Sequence, residues 1–358
     1  MQTHASGLPS PTGISRRTVL HTAAVATAGV AGILATNTPP AYAATHTLTM
    51  LTWNHFVPAS DENLRQWAKE FEQANKCRVK IDFIPHRDLY VKVAKEQETR
   101  TGHDIVLLFF SKPHLHHEDL ETLEFMEALG HQLGGWYTLA RDAGQVEGRW
   151  VALPWYYVAM PMTYREDLYE SCMSNEVLSW DDSSNNQAFL GGSYAWVHNA
   201  VGIYYIAREK VPEIFRVTNH TLTPAGPAGQ HGTAIPFNYG IWQFAQEKTL
   251  AKQFLQYLMD PKRLEANFYA TLTVNIPPVK ASEQFQWERD PKTAMLKDYA
   301  TTAHMIGWPA PSDRQAEQAR AEWIVPNMFT YYVTGRKSLE DAVVWGEGEL
   351  QRIYKAKA

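Results

Sequence analysis

Residues able to carry chemistry are sparse in this chain. His114, His116 and His117 fall within four positions, a density at which imidazoles can ligate zinc. No cluster of Cys or Glu accompanies them, so a solvated histidine-rich loop is the plainer reading. Asp181-Asp182 could supply half of a glycosidase carboxylate pair, and as plainly a helix N-cap or a hydrogen-bonding loop. The sequence holds no Gly-x-Ser-x-Gly elbow, no phosphate loop and no His-Glu-x-x-His pair. No metal and no cofactor is expected. Aromatic residues say more: there are 12 Trp, 17 Tyr and 14 Phe. Clusters include Trp155-Tyr156-Tyr157, Tyr194 with Trp196, and Tyr204-Tyr205, with Trp308 and Trp323 further on. Sugars present flat C–H faces ringed by hydroxyls, and a site for them calls for aromatic platforms bordered by Asp, Asn and Arg. Core packing is the commoner role for any single ring. Trp53 and Trp308 depart from it, each lying in a polar or Gly/Pro turn.

The elements that would position these residues begin with a strand over 46–52. Ser60 can cap a helix over 61–75, in which Leu64, Trp67, Ala68 and Phe71 form one apolar stripe. Val79, Ile81 and Phe83 alternate with polar residues as a strand, a helix spans 88–100, and 105–110 is an unbroken apolar run. Strand, helix, strand, helix, strand predicts a doubly wound α/β lobe. Ligands of such sheets sit beyond the carboxyl ends of the strands, here Trp53-Asn54-His55 and Ser111-Lys112-Pro113. No Gly-rich fingerprint follows the first strand, which argues against a dinucleotide. Downstream, an amphipathic helix covers 250–259 and another 261–269, Asn275-Ile276-Pro277-Pro278 is a loop, and a helix runs from Ser338 to about Tyr354. Gly346 and Gly348 weaken the middle of that last helix.

The chain's 358 residues suffice for two ordinary domains. At 45% hydrophobic and 20% charged it is neither disordered nor a membrane bundle by composition, and a formal charge of −5 argues against nucleic acid as partner. Residues 1–43 carry no acidic residue and only the adjacent basic pair Arg16-Arg17, followed by an Ala-rich apolar run to Ala35 and then Pro39-Pro40-Ala41-Tyr42-Ala43. This resembles a twin-arginine export signal cleaved after Ala43, with no cysteine at the cleavage site for a lipid anchor. The two cysteines, Cys77 and Cys172, could pair in an oxidising compartment, though the sequence cannot place them side by side.

Three segments carry a resemblance. The first joins Trp53-Asn54-His55-Phe56-Val57-Pro58 to Gly102-His103-Asp104-Ile105-Val106. The second runs from Trp180-Asp181-Asp182 through Asn185-Asn186 to Gly191-Gly192, with Ala195 and Asn199 after it. The third runs from Gly240-Ile241-Trp242 through Phe254-Leu255 to Pro277, Phe329 and Gly335. The sequence from 46 to 354 thereby resembles extracellular solute-binding proteins of family 1, the sugar-type receptors of ABC importers related to maltodextrin-binding protein. The resemblance implies an α/β, two-lobed periplasmic-binding-protein-like fold of type II with hinge-connected lobes. One lobe would hold 44–152 plus 237–305 and the other 153–236 plus 306–358, with Leu153-Pro154-Trp155 and Ile235-Pro236-Phe237 at the hinge crossings. It further implies a periplasmic monomer without catalytic residues, binding a sugar or polyol and docking on ABC permease subunits of the inner membrane. Positions matching the family's cleft pattern are Trp53, Trp155, Trp180, Asp182, Asn185, Asn199, Tyr239 and Trp308, the aromatics stacking and the Asp and Asn residues binding hydroxyls.

One departure stands out. Relatives place a long stretch of helices and strands after the segment equivalent to Tyr164–Leu168, whereas here only 169–179 intervene before Trp180. A shortened second lobe is therefore expected, either closed up or exposing apolar surface. The competing readings are a secreted carbohydrate-active hydrolase or lyase using Asp182 with a distant Glu, a metal-binding receptor using His114, His116 and His117, and a truncated copy that no longer binds.

Overall fold

The computed structural model describes residues 46–165 and 184–355. The proposed export signal, Cys172, Trp180 and the Asp181-Asp182 pair lie outside the described residues. Among the described residues no helix is long and apolar enough to cross a membrane.

The βαβαβ opening forms as the periodicity predicts: β1 (Thr47–Trp53), α1 (Pro58–Asn75), β2 (Arg78–Ile84), α2 (His86–Thr99) and β3 (Ile105–Phe109). β1 pairs in parallel with β2 on one side and β3 on the other. All five residues of β3 are buried, which its apolar run requires. α1 lays Leu64, Trp67, Ala68 and Phe71 against the core. It starts earlier than a Ser60 cap would allow, at Pro58, whose fixed φ suits a first helical turn. Ser60 is instead buried within that turn, where its hydroxyl accepts a hydrogen bond from the Asn275 amide at 3.0 Å.

The Gly102-His103-Asp104 motif works as a clamp. Asp104 is buried, and one carboxylate oxygen accepts from the Thr49 amide and hydroxyl at 2.8 and 2.7 Å. The other accepts from the amides of Gln246 and Glu247 at 2.7 and 3.0 Å, so four donors compensate the burial of one charge. His103 lies between Glu96, at 2.6 Å from Nδ1, and Asp82, at 3.0 Å from Nε2. Burial draws the imidazole pKa down, but the two carboxylates outweigh it and hold His103 above its ordinary value. A Cβ on Gly102 would lie 2.3 Å from the Glu96 carboxyl carbon, so glycine is the residue that fits.

Beyond β3 come α3 (Pro113–His116), α4 (Met126–Gln132), α5 (Thr138–Gly144), the short hairpin β4 (Gln145–Val146) and β5 (Arg149–Trp150), and then β6 (Ala152–Ala159). Through Met160-Pro161 the chain leaves for a second, smaller region. This contains β7 (Met162–Arg165), α6 (Ser184–Leu190), β8 (Trp196–His198), α7 (Gly202–Lys210), α8 (Pro212–Val217) and β9 (Thr218–Thr221), with the strands ordered β8-β7-β9 and all antiparallel. β10 (Gly232–Ile241) brings the chain back, running antiparallel between β3 and β6. The large sheet is thus six-stranded, with the order β11-β10-β3-β1-β2 and β6 paired to β10. β6 bulges at Trp155, the extra residue opposite Phe237-Asn238, and the buried Asn238 amide donates to the carbonyls of Leu108 and Phe110, which ties this stretch of β10 to the end of β3.

The remaining elements are α9 (Lys248–Leu258), α10 (Pro261–Ala270), α11 (Tyr299–Thr302), β11 (Ala303–His304), α12 (Arg314–Ala321), α13 (Ile324–Val333) and α14 (Leu339–Lys355). α9 buries Ala251, Phe254, Leu255 and Leu258, and the Asp260 side chain caps α10. The Ser338 hydroxyl accepts from the Asp341 amide, as the capping pattern predicts. Gly346 gains a reason in the packing of α14 on α13: a Cβ there would meet the Met328 sulfur at 2.9 Å. Two apolar cores result. The large one surrounds Trp242, Tyr157, Phe254 and Phe268, while the small one comprises Phe189, Val197, Ile203, Ala207 and Ile214.

Candidate functional site

A cavity of about 680 Å³ lies where the large sheet, the small region and the C-terminal helices converge. The carboxyl ends of β1 and β3 supply Trp53, His55, Phe56, Phe109, Phe110 and Lys112, the positions that the strand-end rule singles out. The crossing strands add Val158, Ile235 and Phe237, the small region adds Asn185, Asn186, His198 and Asn199, and the C-terminal helices add Arg320 and Trp323.

One wall is aromatic. Trp53 is largely buried but reaches the cavity, tilted on Phe237 with ring centres 5.1 Å apart and edge-on to Phe109 at 5.4 Å. Its indole N–H donates to the Tyr156 hydroxyl at 3.2 Å, and Tyr156 itself stacks on Phe237. The turn after β1 is set by His55. Its Nδ1 accepts from the Val57 amide at 2.8 Å, so Nε2 carries the proton and donates to Asn275 Oδ1 at 2.8 Å. Burial pushes the His55 pKa down to about 4, which keeps the ring neutral at pH 7.

The opposite wall is amide-rich. Asn199 Nδ2 donates to Asn185 Oδ1 at 2.9 Å and to Asn186 Oδ1 at 2.7 Å, while its own carbonyl oxygen accepts from the Ala200 amide. Between the walls lie two cations. Arg320 rests over the Phe110 ring at 4.1 Å and binds the buried Glu317 carboxylate through Nη2 at 2.6 Å. Lys112 Nζ stands 4.7 Å from the Tyr90 ring centre, and burial draws its pKa below the ordinary lysine value. Phe110 and Trp323, both lining the cavity, hold left-handed backbone with φ of 53° and 57°. Such conformations cost about 1–3 kcal/mol each in residues other than glycine and persist where the surroundings enforce them.

Of the eight residues named from sequence, the structure brings Trp53, Asn185 and Asn199 to this cavity. Trp155 and Tyr239 lie in the core beneath it instead, 3% and 1% exposed and packed on each other at 5.4 Å, with the Tyr239 hydroxyl paired to Thr52. Tyr239 shares a face of β10 with the lining residues Ile235 and Phe237 but is covered by its neighbours, and Trp155 packs on Tyr156 and Tyr239. Trp308 stands apart from the lining, stacked on His304 at 4.2 Å in a turn with a cis peptide to Pro309. Trp180 and Asp182 lie outside the described residues. The histidine cluster on α3 and just after it serves the fold: His114 bonds the Asp142 carbonyl, His116 the Gln97 side chain and His117 the His114 carbonyl. Among the described residues, no group of three His, Cys, Asp or Glu side chains is placed to hold a metal ion. Sequence reasoning missed His86, Tyr90 and Arg320; the first two lie one helical turn apart at the start of α2, but nothing in the sequence joins them to α12, more than two hundred residues later.

Comparison with known proteins sharpens this picture. No family model and no curated protein matches the sequence. Solved structures do. A maltose-bound MalE3 of T. maritima superposes with a TM-score of 0.70 at 17% identity, over 86% of this chain and 100% of that one. The GacH receptor of Streptomyces glaucescens GLA.O, described unliganded and with acarbose, gives 0.71 at 13% identity over 87% and 99%. An ABC transporter solute-binding protein of Thermotoga lettingae TMO bound with alpha-D-tagatose gives 0.70 at 14% identity over 86% and 100%. The fold is the two-lobed one of periplasmic sugar-binding proteins. The α/β architecture expected from sequence is the one that these structures share.

Proposed function

We propose that this chain is the solute-binding subunit of an ABC importer, which captures a sugar or related polyhydroxylated compound and hands it to permease subunits in the inner membrane. The observation that carries the reading is the cavity itself, with a ring wall at Trp53, Phe109 and Phe237 facing an amide wall at Asn185, Asn186 and Asn199. Rings suit the C–H faces of a sugar and amides suit its hydroxyls. The fold shared with maltose-, acarbose- and tagatose-binding proteins supports it. Trp53 is the stacking residue of the proposal, and Asn185 and Asn199 are its hydroxyl partners. Trp180 and Asp182 keep, on the sequence resemblance alone, the stacking and hydroxyl-binding roles given to them there.

In this reading residues 44–152 with 237–305 form one lobe and 153–236 with 306–358 the other. The chain changes sheets where β6 runs into β7 and where β9 leads back to β10, the kind of connection that a closing motion needs. α12 and the turn before it meet the first lobe directly, through Ser312 to Ser111 at 3.1 Å and Arg320 over Phe110. The protein acts as a monomer in the periplasm, reached through the twin-arginine signal with cleavage after Ala43.

The test is a thermal melt of residues 44–358 with and without a panel of sugars and polyols. A ligand that binds only the folded state adds about 2.7 kcal/mol at a hundredfold excess over its Kd. One compound class that raises the midpoint, with the rise lost in Trp53→Ala, is the expected result. A cooperative melt that no compound moves would overturn the reading.

A further inference from the structure

The cavity is electrostatically lopsided. Lys112 and Arg320 line it, and none of the described lining residues is Asp or Glu. Arg320 already has its counter-ion in Glu317, which is fully buried and bound through both Nε and Nη2. Lys112 makes no ion pair among the described residues: Glu317 attracts it only from beyond ion-pair distance, and its Nζ lies over the face of Tyr90. Among the described residues, Lys112, Arg320 and Glu317 together leave one uncompensated positive charge on the cavity wall. Desolvating an ammonium without a counter-ion is costly, and a single cation–π contact offsets only part of that cost. Lys112 stands moreover just past the carboxyl end of β3, where ligands of such sheets are met.

We propose that the solute carries an anionic oxygen group, a carboxylate or a phosphate, which seats on Lys112 while its hydroxylated ring extends between Trp53 and the Asn185–Asn199 amides. The proposal rests on the reading of the cavity as the solute site and narrows it, from any sugar to a sugar acid or sugar phosphate. An anion there pairs with Lys112 in a partly desolvated setting, where charge-assisted hydrogen bonds are strong. Neutral sugars would leave the ammonium unpaired.

The experiment is titration calorimetry on residues 44–358 with three matched series: glucose, glucuronate and glucose 6-phosphate, and the galactose and mannose equivalents. In at least one series a charged member binds tenfold or more tightly than the neutral sugar, and which one binds separates carboxylate from phosphate. Raising NaCl from 50 to 500 mM weakens the charged ligand and not the neutral one. In Lys112→Met the ratio of charged to neutral affinity falls below two, and in Lys112→Arg most of the preference returns; melting curves of both variants report that they fold. Equal affinity for neutral and charged members, or a preference that survives Lys112→Met, overturns the proposal and leaves the sugar-receptor reading standing. If no member of any series binds and the wider panel of neutral sugars also fails, the reading of the cavity falls and takes the proposal with it.

Discussion

The six-stranded sheet and the three-stranded sheet solve the same problem, burying an apolar face, with unequal means. The large sheet is covered by α1, α2, α9 and α10 and locked at its centre by the Asp104 clamp and the Glu96–His103–Asp82 bridge. Among the described residues the small sheet has three short strands over a separate five-residue core in which Phe189 is the one ring, while Tyr204 of the same region is buried in the large core. Buried apolar area scales the stabilisation at about 25 cal/mol per Å². The small region is therefore the low-stability unit, and it supplies the amide half of the cavity. Closure on a ligand, as in the proposed function, would draw on such a unit, since elements that move come from the weaker end of the stability range.

Acid offers the strongest way to break the comparison. His220, on β9 in the small region, is buried against Tyr204, and burial pushes its pKa down to about 3 from 6.5. The folded region thus binds fewer protons than the unfolded one, so its stability is complete above pH 6.5 and is lost as the pH falls toward 3. The loss amounts to about 5 kcal/mol at most. Hydrogen exchange at pH 7 and pH 4 should show β8 and β9 losing protection and His220→Gln flattening that response, while the turn after β1 weakens separately through the buried His55, whose pKa lies at about 4. A His220→Gln variant that also restored protection in β1 and β3 would mean that the molecule opens as one unit.

Core truncation comes next. Phe254→Ala in the large core and Phe189→Ala in the small one each remove a fully buried ring, at a cost of about 3–4 kcal/mol. The first should lower the main melting midpoint, and the second should lower protection in the small region alone. Equal shifts of the main midpoint would erase the distinction between the two regions.

Glu96→Gln has a smaller effect. It replaces a carboxylate that accepts from the His103 ring and backbone and from the Trp242 indole, and should cost about 2 kcal/mol. Denaturant unfolding measures it, and exchange in β8 and β9 should not change. Smallest is Trp308→Ala: the ring is 47% exposed and stacks on His304, so the loss is about 1 kcal/mol, with sugar affinity within about twofold of the parent. A tenfold loss of affinity would move Trp308 into the site.

Much of the large region was legible in the sequence because its signals are local. The Leu64–Phe71 stripe, the run over 105–110 and the cap at Ser338 each state an element within a dozen residues. The strand-end rule likewise reached Trp53, His55 and Lys112. What failed to show was which residues of a crossing strand meet the opening. Tyr239 shares its face of β10 with the lining residues Ile235 and Phe237 yet is covered by packing, and Trp155 is the extra residue of a bulge in β6 that leaves no mark in composition. Arg320 and Trp323 were hidden for a different reason: they reach the cavity by tertiary packing across two hundred residues, with no periodicity to announce it.

The pairing of β6 with β10 has a further consequence. Ala159, the last residue before the chain leaves for the small region, lies directly opposite Ala234, near its return. The departure and arrival points are thus neighbours on one antiparallel ladder, and everything between them is, topologically, the contents of a single hairpin loop. Such a junction tolerates insertions and deletions because the frame's own pairing does not depend on what the loop contains. The large sheet is in that sense a chassis and the small region an exchangeable cartridge. Grafting a different 160–233 segment between Ala159 and Ala234 would change what the molecule recognises without rebuilding what holds it together.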